Sequence, residues 1–252
     1  MYVVRNGNIK ELTIKSVFLI LLLISGRSTY SQNFNEEELI EIERLSTILS
    51  EKDSHDTLLV RTYVQLSEIL YVNNIDTIKY LCEKAIDIAE AGLEDNPSEL
   101  EKESLLNYMA NAYLNLGYYY GKKGDIDEQL SFINLSIKIQ EQIGNVKGVA
   151  DCLINMGGLH ENQGNIPEAL DDFYRSLAIY EKIDDKKGIA ICLNNLANIF
   201  ENQGDYVKAL EFYFQSLEIR EKYLDQFYVA KVLNNIGYNY GKQGNDSLSL
   251  VY

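Results

Sequence analysis

The 252-residue sequence predicts an all-α fold, a right-handed superhelical solenoid of antiparallel helix pairs. One observation behind this prediction is an internal repeat, since residues 151–190 match residues 191–230 at 16 of 40 positions without a gap. Another is that each period carries two apolar stripes with the spacing of an α-helix. A glycine also recurs between the two stripes of each period. Fixed periods of this length are typical of solenoids.

The composition restricts the possible function classes. The chain has 38 acidic and 23 basic residues, and its formal net charge of -15 repels nucleic acids and anionic membrane surfaces. Three cysteines and two histidines are too few for a disulfide scaffold or a zinc cluster. No glycine-rich phosphate loop occurs in the sequence. We therefore expect no nucleic acid partner, no metal and no small-molecule cofactor.

The N-terminal segment has the layout of a secretory signal peptide. Residues 17–24 form an unbroken apolar run, which Arg5, Lys10 and Lys15 precede. The run is too short to span a bilayer, and small or polar residues follow it. We expect residues 1–31 to be the signal peptide, with the mature protein exported to the periplasmic or cell-envelope side of a bacterial membrane. A buried helix start and a short membrane anchor are the alternatives.

Residues 32–56 are expected to form an N-terminal capping helix and a loop. Leu39, Ile42, Leu45 and Leu49 share one face of a helix predicted over residues 35–51. A solenoid needs such a helix, because its first repeat otherwise exposes an apolar flank. The helix is therefore assigned to the open end of the repeat array.

Residues 57–252 are interpreted as the solenoid. In one period, Leu153 and His160 lie on the first apolar stripe, and Ala169 and Phe173 lie on the second. Gly164, between the stripes, accepts the left-handed conformation that ends the first helix. The expected repeats are residues 57–97, 103–144, 145–184 and 185–225, with an incomplete last repeat over residues 226–252.

The connections have their own sequence signals. Asp125 with Glu128, and Asn165 with Glu168, have the spacing of a capping box at the start of a second helix. Residues 92–104 are expected to form a longer connection between the first two repeats. The sequence stops inside the second helix of the last repeat, which we interpret as truncation of a longer protein, with a frayed natural terminus as the alternative.

Several of these residues carry a family resemblance. A small residue at Gly157, followed by Gly164, Ala169 and Phe173, resembles the tetratricopeptide repeat. The 40-residue period and the string at residues 193–197 resemble the longer-helix variety found in kinesin light chains and bacterial sensor proteins. The resemblance implies peptide binding on an inner, concave face that the first helices line. The departures from the family pattern are Gln129, Ile133 and His160, of which His160 is expected to be a core ring.

An asparagine column is the main candidate for a binding surface. Asn115, Asn155, Asn195 and Asn235 each lie nine residues before a turn glycine and away from the apolar stripe. Asparagine is a mediocre mid-helix residue, so the column needs an explanation. One explanation is an amide ladder between repeats, and the other is binding of an extended peptide backbone. The same surface is expected to hold Tyr118, Lys122, Asn194, Asn198, Glu201, Asn202, Asn234 and Tyr238.

The sequence thus favours a non-enzymatic protein-binding or peptide-binding scaffold. The alternative is the extracytoplasmic sensory region of a larger signal-transduction protein, whose missing part holds a histidine kinase, a cyclase or a transcriptional regulator. A membrane tether is expected only through sequence beyond residue 252. No nucleophile, base and anion donor converge in the repeats, so we expect no enzyme.

Overall fold

The described part of the chain is helical. A computed structural model describes residue 34 and residues 36–51, 54–70, 75–223 and 226–252, and it shows no strand in them. The expected all-α class is therefore confirmed, whereas the expected signal peptide at residues 1–31 lies outside the described residues. The helices are α1 Glu36–Ser50, α2 Asp56–Leu70, α3 Ile75–Glu94, α4 Glu99–Lys123, α5 Ile126–Gln142, α6 Val146–Asn162, α7 Ile166–Lys182, α8 Lys186–Asn202, α9 Tyr206–Tyr223, α10 Gln226–Lys242 and α11 Asp246–Ser249.

The chain divides into two compact units. Unit 1 is Met1–Ile143, with α1 to α5, and unit 2 is Gly144–Tyr252, with α6 to α11. In unit 2, α6 packs on α7, α8 on α9, and α10 on α9 and α11. The odd-numbered and even-numbered helices of unit 2 are thus the second and first helices of successive pairs. The predicted succession of antiparallel helix pairs is confirmed within each unit.

The turns follow from local backbone chemistry. The four glycines of the turn column have a left-handed backbone, with φ between 74° and 81°. Asp125 caps α5 as expected, because its Oδ1 accepts a hydrogen bond from the Glu128 N–H at 3.3 Å. The expected capping bond of Asn165 is wrong, since its amide donates to Oε1 of Gln163 at 3.2 Å and caps nothing. The four glycines are Gly124, Gly164, Gly204 and Gly244.

The connection before α4 is shorter than expected. A loop over residues 92–104 was predicted, but α3 continues to residue 94 and α4 begins at Glu99. Ser98 and Glu101 form a reciprocal capping box, in which Glu101 Oε2 accepts from the Ser98 N–H at 2.8 Å. This cap lets α4 begin within the acidic segment that was expected to be a loop. The prediction of a long loop is therefore wrong.

The two helices of a pair approach closely where a small residue faces a large one. A Cβ added at Gly157 of α6 would lie 2.8 Å from Cε1 of Phe173 on α7, closer than packed side chains allow. In the pair α4 and α5, a Cβ added at Gly117 would lie 3.2 Å from Cγ1 of Ile133, which is tighter than most packed contacts. The departure at Ile133 therefore keeps the pattern of a glycine facing a large side chain.

His160 is the clearest departure from this apolar packing. Its Nδ1 lies 2.8 Å from Oδ2 of Asp172, whose side chain is buried, so the expected core ring is instead half of a polar pair between α6 and α7. The guanidinium of Arg175 lies 3.8 Å from Oδ1 of Asp172. Stacked rings occupy the equivalent positions of other pairs, namely Tyr120–Phe132 at 5.3 Å, Phe200–Phe212 at 5.6 Å and Tyr240–Tyr252 at 5.8 Å.

Gly188 of α8, which faces Tyr180 of α7, offers a test of close packing between helices. A Cβ at Gly188 would lie 2.2 Å from Cδ1 of Tyr180, a side chain that is fully buried. We expect Gly188→Ala to lower the free energy of unfolding by about 1 to 3 kcal/mol, because the ring must move within a packed core. Urea denaturation followed by circular dichroism measures the change.

Gly158 is the matched control, since a Cβ there meets nothing within 4 Å. Gly158→Ala is expected to raise the free energy of unfolding by about 0.5 to 1 kcal/mol, because alanine is the better helix former. Equal effects of the two substitutions would contradict the packing described above.

Candidate functional site

The first helices of unit 2 present one common surface. We define the first-helix face as the side of α6, α8 and α10 that carries Asn155, Asn195 and Asn235, together with the polar residues that flank this column. Side-chain hydrogen bonds join these helices in order: Asn202 on α8 donates to Glu161 on α6 at 3.4 Å, and Asn235 on α10 donates to Asn194 on α8 at 3.4 Å. The three helices therefore lie side by side, and their outward residues form a continuous polar strip.

The asparagine column plays different roles in different repeats. Asn155 donates from Nδ2 to the carbonyl of Asp151 in its own helix at 2.9 Å. Asn235 bonds Asn194, one position away from the column. Among the described residues, the half-buried Asn195 amide has no hydrogen-bond partner. A ladder that joins Asn155, Asn195 and Asn235 directly is absent from the described part of unit 2.

Two further candidate residues are held by a buried tyrosine. Tyr213 of α9 is buried, and its hydroxyl lies 2.6 Å from Asn198 Oδ1 and 3.2 Å from Glu201 Oε2. Asn239 of α10, which is also buried, donates to the same Glu201 oxygen at 3.4 Å. The network fixes the positions of Asn198 and Glu201 on the face. Helical periodicity places Tyr213 in the apolar core stripe of the second helix. The sequence alone therefore did not link it to the first-helix face.

Three of the remaining candidates, Tyr118, Lys122 and Tyr238, belong to tyrosine–lysine pairs. In unit 2, Tyr238 is 53% exposed, and Lys242 Nζ lies 4.9 Å from its ring centroid. In unit 1, Lys122 lies 5.3 Å from the ring of Tyr118 in the same geometry. The other unit 1 candidate is Asn115, which donates to Ser67 Oγ at 3.0 Å. The exposed candidates on the face of unit 2 are Asn202, Asn234 and Tyr238.

Glu161 is a site residue that sequence reasoning missed. It is half-buried one turn after Gly158, and burial raises the pKa of its carboxyl, although the bond from Asn202 acts in the opposite direction. No lysine or arginine of the described residues forms an ion pair with it. Its place in the repeat is also that of Glu201, so the equal spacing was the signal that could have found it.

The described residues provide no centre for metal chemistry and no spanning helix. No group of three or more histidine, cysteine or acidic side chains in them is placed to hold a metal ion. None of the helices among these residues combines the length and apolar character that crossing a membrane requires. The first-helix face carries amide donors, amide acceptors and carboxylates.

Comparison with known proteins identifies the family of this fold. The family model described as tetratricopeptide repeat matches three overlapping segments, residues 108–182, 149–222 and 188–250. None of the curated proteins matches the chain in sequence. The resemblance inferred from the repeat pattern is thereby confirmed.

Solved structures of low sequence identity share the fold. The BtubC (BKLC) protein of P. vanneervenii is 16% identical, with a TM-score of 0.53 over 79% of this chain and 88% of that chain. A Rap protein complexed with Competence and Sporulation Factor is 14% identical, with a TM-score of 0.58 over 96% and 74% of the two chains. A signal transduction ATPase of Pyrococcus horikoshii with a tetratricopeptide repeat sensor is 17% identical, with a TM-score of 0.58 over 96% and 38%.

The raised pKa of Glu161 predicts a pH-dependent stability. The folded state keeps the Glu161 proton to a higher pH than the unfolded state. The stability from this group is complete below about pH 4.3, the ordinary glutamate value, and is lost as the pH rises through the folded-state pKa. Relative to the wild type, Glu161→Gln is therefore expected to gain in free energy of unfolding between pH 4 and pH 7, as measured by urea denaturation.

Glu168, an exposed glutamate on α7, provides the control. Glu168→Gln tests whether removal of any one acidic charge produces the same change. A pH-independent difference between Glu161→Gln and the wild type would contradict the prediction.

Proposed function

Because the chain belongs to the tetratricopeptide repeat family, we propose that it is a non-enzymatic scaffold that binds a protein or an extended peptide on the first-helix face. Tetratricopeptide repeat proteins are generally non-catalytic scaffolds. The Rap protein among the structural neighbours is complexed with Competence and Sporulation Factor, which supports a binding role for this architecture. In this chain, the amide side chains that could bond a peptide lie on the polar strip of unit 2.

The observation that carries the proposal is the half-buried Asn195 amide, which has no hydrogen-bond partner among the described residues. A primary amide carries a donor and an acceptor, as does each peptide unit of an extended chain. An asparagine is a poor choice in the middle of a helix, so its place at Asn195 needs a reason that the fold does not supply. Bonding to the backbone of a bound peptide supplies that reason.

The surrounding structure reduces the cost of binding. Asn198 and Glu201 are held by Tyr213, and Asn194 is held by Asn235. These side chains lose little further freedom when a partner arrives, so more of the interaction energy contributes to affinity. Protein is the favoured partner class, since a formal net charge of -15 opposes nucleic acid.

The second candidate function is the sensory region of a larger exported signalling protein. The basic residues and the apolar run within residues 1–31 favour export to the periplasmic or cell-envelope side. Fusion of these residues to a reporter enzyme that folds only outside the cytoplasm tests export, and an inactive reporter would exclude it. An apolar stretch of about 18 residues encoded after residue 252 would favour the sensor over the scaffold.

Asn195 provides the direct test of peptide binding. Dodecapeptides selected from a random library against the full chain serve as probes, with affinities from fluorescence anisotropy. Asn195→Ala is expected to weaken binding at least tenfold, about 1.4 kcal/mol, because bonds to the peptide backbone are lost. Asn155→Ala combined with Asn195→Ala weakens binding further, and the melting temperature of Asn195→Ala does not fall.

Asn115 in unit 1 is the matched control, since its amide bonds Ser67. Asn115→Ala should lower the free energy of unfolding by about 1 kcal/mol through loss of that bond. If Asn195→Ala instead lowers the melting temperature and leaves peptide affinity unchanged, the column is structural and the proposal fails.

A further inference from the structure

Two adjacent glycines on α6 have different surroundings. Gly157 is explained by the fold, because the ring of Phe173 occupies the space of its missing side chain. Gly158 is not, since a Cβ at this position would meet nothing within 4 Å. Glycine is the least favourable mid-helix residue apart from proline, and it permits close approach of another chain to the backbone. The open side of Gly158 lies on the first-helix face.

The repeat position of Gly158 carries larger side chains in the other repeats of unit 2. The same repeat position holds Tyr238 on α10, which is 53% exposed, and Asn198 on α8. One turn before Gly158 is Ile154, a half-buried apolar residue that packs against the core of unit 2. The open side of Gly158 therefore lies next to an apolar residue of the same helix, at a repeat position that carries a tyrosine on α10.

A carboxylate borders this space. Glu161 follows Gly158 by three residues, which places the two positions about 5 to 6 Å apart on one helix surface. Its carboxylate is half-buried, and among the described residues only the Asn202 amide bonds it. An uncompensated half-buried charge is stabilised by a cation that a partner brings, and the formal net charge of -15 attracts a basic partner.

We propose that the space over Gly158 is the specificity pocket of the first-helix face, and that it takes a large apolar or aromatic side chain of a basic peptide whose Lys or Arg pairs with Glu161. The inference rests on the peptide binding proposed above and adds the identity of the residues that are recognised. Side chains two residues apart in an extended peptide lie on the same side, about 6 to 7 Å from each other. The recognised sequence is therefore a large apolar residue and a basic residue separated by one position.

Complementary substitutions in the protein and the peptide test the pocket. The probes are labelled dodecapeptides selected from a random library against the wild-type full chain. Gly158→Tyr fills the space with the side chain that the column carries at Tyr238, and it is expected to weaken binding at least 30-fold. Replacing the apolar anchor of the peptide by alanine should weaken binding to the wild type by a similar factor, but weaken binding to Gly158→Tyr less than threefold.

The basic residue is tested in the same way. Glu161→Gln and replacement of the peptide Lys or Arg by alanine should each weaken binding about tenfold, with no further loss when both changes are combined. The loss should shrink as the salt concentration rises, since the pair is electrostatic. Independent, additive losses would overturn the assignment of Glu161.

Lys182→Tyr is the matched control, because it adds the same ring at an exposed position of α7. It should change neither peptide affinity nor melting temperature, and circular dichroism should show Gly158→Tyr folded. Binding of Gly158→Tyr within threefold of the wild type overturns the pocket and leaves the proposed scaffold function standing. Failure of every library peptide to bind the wild type overturns both.

Discussion

The close approach of the two helices in each pair is the constraint on which the rest of the structure depends. A side chain of the second helix enters the space left by a small residue of the first, as Phe173 does at Gly157. Such contacts remove apolar surface from water at van der Waals distance, so their positions fix which side of each first helix points inward. The sides turned away from these contacts, and the polar residues at their edges, then form the first-helix face.

Polar bonds across that face give each first helix a defined place beside its neighbour. The bonds from Asn202 to Glu161 and from Asn235 to Asn194 join helices that are about one period apart in sequence. A surface that is ordered before binding costs less to order on binding. The half-burial that these contacts impose on Glu161 also raises the pKa of its carboxyl. Stability and charge are therefore coupled at the same side chains.

The repeats are alike in backbone and different in chemistry. One pair uses His160 and Asp172 where the next uses the stacked rings of Phe200 and Phe212. The helix pair tolerates both because either contact bridges the same gap between first and second helices. Such differences give each repeat its own side-chain chemistry on a common backbone.

The sequence by itself determined the all-α class, the helix pairs and the turn glycines, because period, apolar spacing and left-handed glycine are local properties of the chain. It also pointed to the column with Asn195. Only the tertiary structure decided that Asn198 and Glu201 are bound by Tyr213, that Asn165 does not cap α7, and that Gly158 faces open space while Gly157 faces a ring. Those outcomes depend on atoms that meet across helices, and the spacing along one helix cannot specify its neighbours' side chains.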